Sequence, residues 1–180
     1  MKRTVYIISG PAGVGKSTTS KRLVKKLERS SYISGDAISH LPINGRGKPW
    51  LCSDTHNLTW ENILGITRNL IEYDFDVVID YVSFPQEVSW LGNNLKNTNV
   101  NIVYVVFMVD RNTIIERDQT RKSSQQMGER SLILLKEFEE AILENTQYAQ
   151  HILNTQKYTV EQLDEIIDEI IENKNKYIVR

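Results

Sequence analysis

The sequence predicts an α/β fold, a three-layer α/β/α sandwich built on a five-stranded parallel sheet. Three observations predict it. Short apolar runs alternate with helix-length amphipathic segments along the 180 residues, the pattern of repeated strand–helix units. Two of the runs, Val77–Ile79 and Ile102–Val109, are continuously apolar, as expected of strands covered by helices on both faces. The first run, TVYIIS, passes directly into a glycine-rich stretch, 10-GPAGVGKS-17, and then into a helical segment, so strand, loop and helix follow one another at the start of the chain.

In chain order, strands are expected near Thr4–Ile8, Ser31–Ser34, Asp76–Asp80, Asn101–Val109 and His151–Asn154. Helices are expected near Gly15–Arg29, Leu58–Tyr73, Pro85–Asn97, Arg111–Arg121, Glu129–Ala149 and Val160–Asn173. In the last of these, Leu163, Ile166, Ile167, Ile170 and Ile171 recur at helical spacing, which marks a buried face. Two stretches break the rhythm. Residues 41–56, LPINGRGKPWLCSDTH, hold two prolines and two glycines with little periodicity, and lie just after the second strand. Residues 117–130, RDQTRKSSQQMGER, are polar, arginine-rich and poor in apolar anchors. Irregular segments of this length are often functional. Neither has the composition of an interdomain linker, so residues 1–180 are expected to form one domain.

Bulk composition sets outer bounds. Hydrophobic residues make up 40% and charged residues 25%, close to the globular average. A formal charge of −1 offers no electrostatic case for nucleic acid or anionic lipid as a partner. The single cysteine, Cys52, can form neither an internal disulfide nor a zinc cluster and suits a reducing cytoplasm. Residues 1–8 begin basic and turn apolar, but run into Gly10 without a cleavage-type region, so they read as the first strand rather than as a leader. No apolar run is long enough to cross a bilayer. The expectation is a cytoplasmic monomer or homodimer that works without membrane or nucleic acid.

The stretch from Gly10 to Ser17 fits G-x-x-x-x-G-K-[ST], the P-loop pattern. Gly10, Gly13 and Gly15 permit backbone conformations that turn successive N–H groups toward phosphate oxygens. The backbone of Gly10, Gly13, Val14, Gly15, Lys16, Ser17 and Thr18 is thus expected to line the phosphates, with the following helix adding its positive end. Lys16 reaches the β and γ phosphates, and the Ser17 hydroxyl ligates Mg²⁺. A GTPase switch would also carry D-x-x-G and N-K-x-D, and neither occurs. Two irregular segments over such a sheet suit a kinase, which covers its phosphates and excludes water.

Two carboxylates stand where ligands gather, beyond the carboxyl ends of parallel strands. Asp36 follows strand two and could take a proton from an attacking hydroxyl, hold Mg²⁺ through water, or merely cap a helix starting at Ala37. Asp80 ends strand three and is either a second, water-mediated Mg²⁺ carboxylate or a solvated strand end.

The phosphate loop, the strand pattern and the two inserts together resemble the shikimate-kinase and nucleoside-monophosphate-kinase group. The resemblance implies sheet order 2-3-1-4-5, ATP as phosphoryl donor with Mg²⁺, and a small hydroxyl-bearing acceptor. More narrowly, Gly35-Asp36, His40, Asn44, Gly47-Lys48-Pro49, Asp54 and Trp60 resemble a segment of the gluconate kinases, with Asn57 standing where that family carries arginine. This implies an acceptor insert over about residues 37–57, with His40, Arg46, Lys48 and Trp50 as its binding residues. Gluconate or a related sugar acid is the first choice of acceptor, its cation supplied by Arg46 or Lys48. In the same group the arginines after strand four belong to a lid. That assigns residues 117–130 to the lid and Arg117 and Arg121, four apart and expected on one helix face, to the transferring phosphoryl group. The position after strand five puts Asn154 and Thr155 on the adenine side. The alternatives are an antibiotic or nucleoside-type phosphotransferase, of which chloramphenicol phosphotransferase is an example, and a nucleotide-binding regulatory or toxin-like protein.

Overall fold

The computed structural model describes residues 2–123, 126–159 and 161–179. Ser124 and Gln125 of the expected lid, and Val160 at the expected start of the last helix, lie outside the described residues. Strands β1 (Arg3–Ser9), β2 (Ser30–Ser34), β3 (Asp76–Asp80), β4 (Val100–Met108) and β5 (Ile152–Asn154) form one sheet in the order β2-β3-β1-β4-β5. Every pairing within it is parallel, as expected from the sequence.

Side chains of a strand alternate between the two faces of its sheet, and here both faces are buried. Val5, Ile7, Val77 and Ile79 face one core, closed by helices α3 (Ser53–Glu72), α4 (Pro85–Leu95) and α6 (Glu129–Glu144) through residues such as Ile63, Leu91 and Phe138. Tyr6, Ile8, Val78, Val103 and Val105 face the other. That core is closed by α1 (Lys16–Lys26), α5 (Arg111–Gln119) and α7 (Leu163–Glu172) through Leu23, Ile114 and the stripe of Leu163, Ile166, Ile167 and Ile170. No helix among the described residues is long and apolar enough to cross a membrane.

Several helix ends differ from expectation, each for a local reason. Helix α1 stops at Lys26 rather than Arg29, where Leu27 turns extended and the Ser30 hydroxyl donates to the carbonyl of Val24, one of the orphan acceptors of the last turn. Helix α3 begins at Ser53, five residues before the apolar periodicity starts. Its first turn is polar, and the Thr55 hydroxyl there accepts from the N–H of Gly47, tying the insert to the helix. Helix α6 ends at Glu144 because Asn145 leaves helical geometry and its side-chain amide donates to the Ala141 carbonyl; a 3₁₀ turn, Thr146–His151, follows. A five-residue helix that the periodicity did not reveal, α2 (Gly35–Ser39), follows β2.

Candidate active site

The carboxyl ends of β1, β2 and β3 and the N-terminal ends of α1, α2, α3 and α4 meet at one edge of the sheet. The glycine-rich loop turns there. Gly10, Gly13 and Gly15 all have positive φ, at 129°, 88° and 99°. Gly10 also admits no side chain, because a Cβ would lie 2.2 Å from the carbonyl oxygen of Phe107 in β4. Val14 is buried beneath the loop, and its carbonyl accepts from the Thr155 hydroxyl at 3.0 Å, so the exit of β5 pins the loop from the far side of β4.

Helix α1 opens toward this loop without a side-chain cap and without an acidic residue in its first turn. Its leading N–H groups and the positive end of its dipole are left for an anion. Ser17 and Thr18 are exposed in that turn. The Lys16 ammonium donates to the carbonyls of Gly10 at 2.8 Å and Pro11 at 2.7 Å. Burial pulls its pKa down to about 8, against the opposing fields of Asp80 and then Asp36; Arg121 adds a weaker downward push. These four side chains are therefore electrostatic neighbours, although they come from four parts of the chain.

The structure corrects the bland reading of each carboxylate. Asp36 does not cap a helix: α2 begins one residue before it, and the cap is Ser34, whose hydroxyl accepts from Ala37 N at 3.2 Å. Gly35 makes this possible by packing against Tyr81, whose ring leaves no room for a Cβ. Asp36 is left exposed on the first turn. Asp80 is no solvated strand end. It is 5% exposed, and its Oδ2 accepts from the Tyr32 hydroxyl at 2.6 Å; burial first, and then this bond, raises the Tyr32 pKa.

The arginine segment is also placed. Arg117 lies on α5 beside Gly13, its Nη2 donating to the carbonyl of Thr155 at 3.3 Å. Arg121 is not on the same helix face, because α5 ends at Gln119 and the chain turns at Thr120. It pairs instead with Asp118, Nη1 to Oδ1, at 3.7 Å. Asp118 is 6% exposed and accepts from the N–H groups of Met127 and Gly128 as well, so it fastens the two ends of residues 117–130 together. Its only signal was an acid flanked by arginines before a glycine.

The residues expected to bind the acceptor divide into two groups. His40 is exposed with Nδ1 2.6 Å from the Asp36 carbonyl, and Arg46 donates to the Ser39 carbonyl at 2.6 Å and its hydroxyl at 3.3 Å, so both secure the end of α2. Lys48 and Arg130 lie 5.7 Å and 5.4 Å from the centre of the Trp50 ring. Arg130 is held in turn by Glu137 at 2.8 and 3.0 Å. Trp50 thus joins the insert to the start of α6. On the other flank, Asn154 is exposed, its side chain accepting from Gln156 N, while Thr155 is buried against the loop.

With this geometry in place, comparison with known proteins gives a consistent picture. The profile of the AAA domain family matches residues 5–142. No curated protein matches the chain in sequence. Among solved structures, an unliganded sugar kinase from Janibacter sp. HTCC2649 is similar with a TM-score of 0.66 at 13% identity, covering 96% of this chain and 95% of that one. A gluconokinase from Sinorhizobium meliloti 1021 is similar with a TM-score of 0.65 at 18% identity, covering 97% and 94%. The tunicamycin resistance protein of Deinococcus radiodurans is similar with a TM-score of 0.60 at 19% identity, covering 95% and 96%. At these identities the likeness is one of fold.

Proposed function

The chain belongs to the AAA domain family of P-loop proteins, and from that premise we propose that it is an ATP- and Mg²⁺-dependent kinase that moves the γ-phosphoryl group onto a hydroxyl of a small molecule. The observation that carries this reading is the pair of carboxylates at the loop. Asp36 and Asp80 both act on Lys16, and neither is used as a helix cap or a solvated chain end.

The residues fit their proposed roles. Lys16 exchanges the carbonyls of Gly10 and Pro11 for β- and γ-phosphate oxygens, while the α1 N-terminus and the loop N–H groups, from Gly10 to Thr18, hold the rest. Mg²⁺ would be held by the Ser17 hydroxyl, and through water by Asp80 and Asp36. Such a site needs no protein cage, and the described residues contain no group of three or more acidic, histidine or cysteine side chains that could form one. When bound with the nucleotide, the ion neutralises charge on the β- and γ-phosphate oxygens. Asp36, exposed and uncommitted, takes the proton of the acceptor hydroxyl. The hydroxyl oxygen forms its bond to the γ-phosphorus, and the bond from that phosphorus to ADP breaks. Arg117 and Arg121, on the lid segment 117–130, meet the charge on the transferring group. Asn154 and Thr155 border the adenine side.

The acceptor enters beside the insert of residues 37–57. A sugar acid, to which the pattern over residues 35–60 points, needs a cation, and Arg46 and Lys48 are the insert's candidates. Arg46 is engaged with Ser39 and Lys48 lies over Trp50. A coupled ADP-release assay over sugar acids, neutral sugars, amino sugars and nucleosides tests the reading. Turnover that rises sharply with one class supports a kinase. Tight ATP binding whose turnover no compound raises would favour the regulatory or toxin-like alternative.

A further inference from the structure

A second hollow opens at the same edge of the sheet, between the first turns of α3 and α4. It is a cleft of about 340 Å³. Two carboxylates, Glu61 and Glu87, and two indoles, Trp60 and Trp90, line it together with the amides of Asn57 and Gln86. No lysine or arginine among the described residues does. His56, whose Nε2 is 3.5 Å from Glu87 Oε1, is, among the described residues, the one lining group able to carry positive charge. The cleft adjoins the proposed base: the Trp60 ring is 5.8 Å from that of Tyr81, and Tyr81 packs on Gly35 and feels the charge of Asp36.

We propose that this cleft holds the non-reacting end of the acceptor, and that it selects an amine-bearing polyhydroxy compound, of the amino sugar class, over a sugar acid. Four observations carry this. The described lining is net negative whether His56 is neutral or charged, which repels a carboxylate and attracts an ammonium. Glu87 is largely withdrawn from water, its side chain 13% exposed, and its partners among the described residues are the Phe84 N–H at 2.7 Å, its own backbone N–H and the longer His56 contact. Burial accordingly holds its carboxyl above the ordinary value, and a ligand cation relieves that desolvation. Two indoles line the same cleft as the carboxylates, and an ammonium over an indole face is held by cation–π attraction. Finally, Trp60, which lines the cleft, is 3% exposed, and its buried indole N–H has no hydrogen-bond acceptor among the described residues, so a ligand hydroxyl that reached it would satisfy it. Asn57 adds a neutral amide rather than a cation to the lining.

What becomes of the bound compound rests on the kinase reading, whereas its charge rests on the cleft alone. The test separates them. The full chain at pH 7 is titrated with glucosamine, glucose and gluconate, without nucleotide, by tryptophan fluorescence and ligand-observed NMR. ADP release is measured separately with ATP and Mg²⁺. The expected order is glucosamine tightest, glucose at least about tenfold weaker, a difference of about 1.4 kcal/mol, and gluconate weakest. Glu87→Gln keeps the amide oxygen that caps Phe84 N and should erase the advantage of glucosamine over glucose. Glu61→Gln, on an exposed turn of α3, should reduce it and serves if Glu87→Gln fails to fold. Gluconate binding as tightly as glucosamine, no binding by any of the three, or a preference that survives both substitutions overturns the proposal. Glucosamine that binds in the expected order but never raises ADP release leaves the charge selection standing and counts against the kinase reading alone.

Discussion

Gly10→Ala should damage both the fold and nucleotide binding, and the structure sets the size of the effect. A Cβ at residue 10 would lie 2.2 Å from Phe107 O and 3.1 Å from Phe107 C, whereas real Cβ contacts essentially never fall below 3.0 Å. Phe107 cannot yield, since it is fully buried in β4 and paired to β5 on one side while β1 flanks the other. The loop must therefore move by roughly 0.8 Å or more in a close-packed interior. It must also hold alanine at φ 129°, a region that side chains rarely adopt. Overpacking costs about 1–3 kcal/mol and backbone strain of this kind about 1–3 kcal/mol more. For a domain of this size that is a fall in Tm on the order of 5–15 °C. A loop displaced by that much carries its N–H groups away from the phosphates, and misplacement of about 1 Å is worth about 100-fold in a positioned reaction. The assays are a thermal melt and ATP titration by calorimetry. Gly65→Ala is the control: that glycine is exposed in the interior of α3 with nothing within 4 Å of a new Cβ, and its replacement should stabilise by about 0.5–1 kcal/mol. A Gly10→Ala protein that melts within 2 °C of wild type, roughly 1 kcal/mol or less for this size, and binds ATP normally would refute the close-approach argument.

Three further outcomes follow from the same geometry. Lys16→Ala should abolish phosphoryl transfer and leave the melting temperature nearly unchanged, because the desolvation of the ammonium offsets its two bonds to loop carbonyls; unaltered ADP release would remove the phosphate-loop reading. Asp36→Asn should keep the fold and ATP affinity, since Ser34 rather than Asp36 caps α2, and lower transfer to the acceptor by about 10²–10⁴-fold, measured as kcat in the coupled assay. His151 gives a pH dependence of stability. It is 2% exposed with Nδ1 2.8 Å from the Tyr104 carbonyl, and burial lowers its pKa below the ordinary 6.5. Below pH 6.5 the unfolded chain therefore binds a proton that the folded chain does not, so stability is full above that pH and falls as pH drops through it. Urea unfolding at pH 7.5 and 5.5 should show this loss in wild type and a smaller one in His151→Phe; equal losses would assign the effect to other groups.

The strands were legible because burial on both faces writes itself as unbroken apolar runs, and β3 starts and ends where Asp76–Asp80 predicts. The loop was legible because its chemistry is local: three glycines, a lysine and a serine within eight residues. What the chain could not display was partnership at long range. Nothing near Asp80 marks Tyr32, 48 residues earlier, as its donor, and nothing near Val14 marks Thr155, 141 residues later, as the clamp on the phosphate loop. Helix starts were missed for a related reason. The first turns of α2 and α3 are polar, and a reading based on apolar periodicity begins only where burial begins. Asp118 shows the limit most plainly, because an acid among arginines on a polar segment has the composition of a surface while its carboxylate is buried by backbone donors that follow it by nine and ten residues.

In the proposed mechanism, the different ways in which the fold fixes the two carboxylates also divide their work. Asp80 is set between the ends of β1 and β2 by strand register, facing Ile8 on one side and Ser34 on the other, and its Oδ2 already takes the Tyr32 proton donor. A carboxylate so placed offers a fixed charge with one oxygen remaining, which suits ordering water around a cation and does not suit accepting a proton and releasing it once per turnover. Asp36 has the opposite character. It is exposed on a five-residue helix whose cap is supplied by a neighbour, and its position depends on Gly35 fitting against Tyr81 rather than on any bond to its own oxygens. It can change protonation without disturbing a hydrogen bond that the fold needs. The same reasoning sets the expected cost of each substitution: removing the Asp80 carboxylate takes the acceptor from the half-buried Tyr32 hydroxyl, whereas removing the Asp36 charge leaves every described hydrogen bond in place and, on the proposed mechanism, touches the reaction alone.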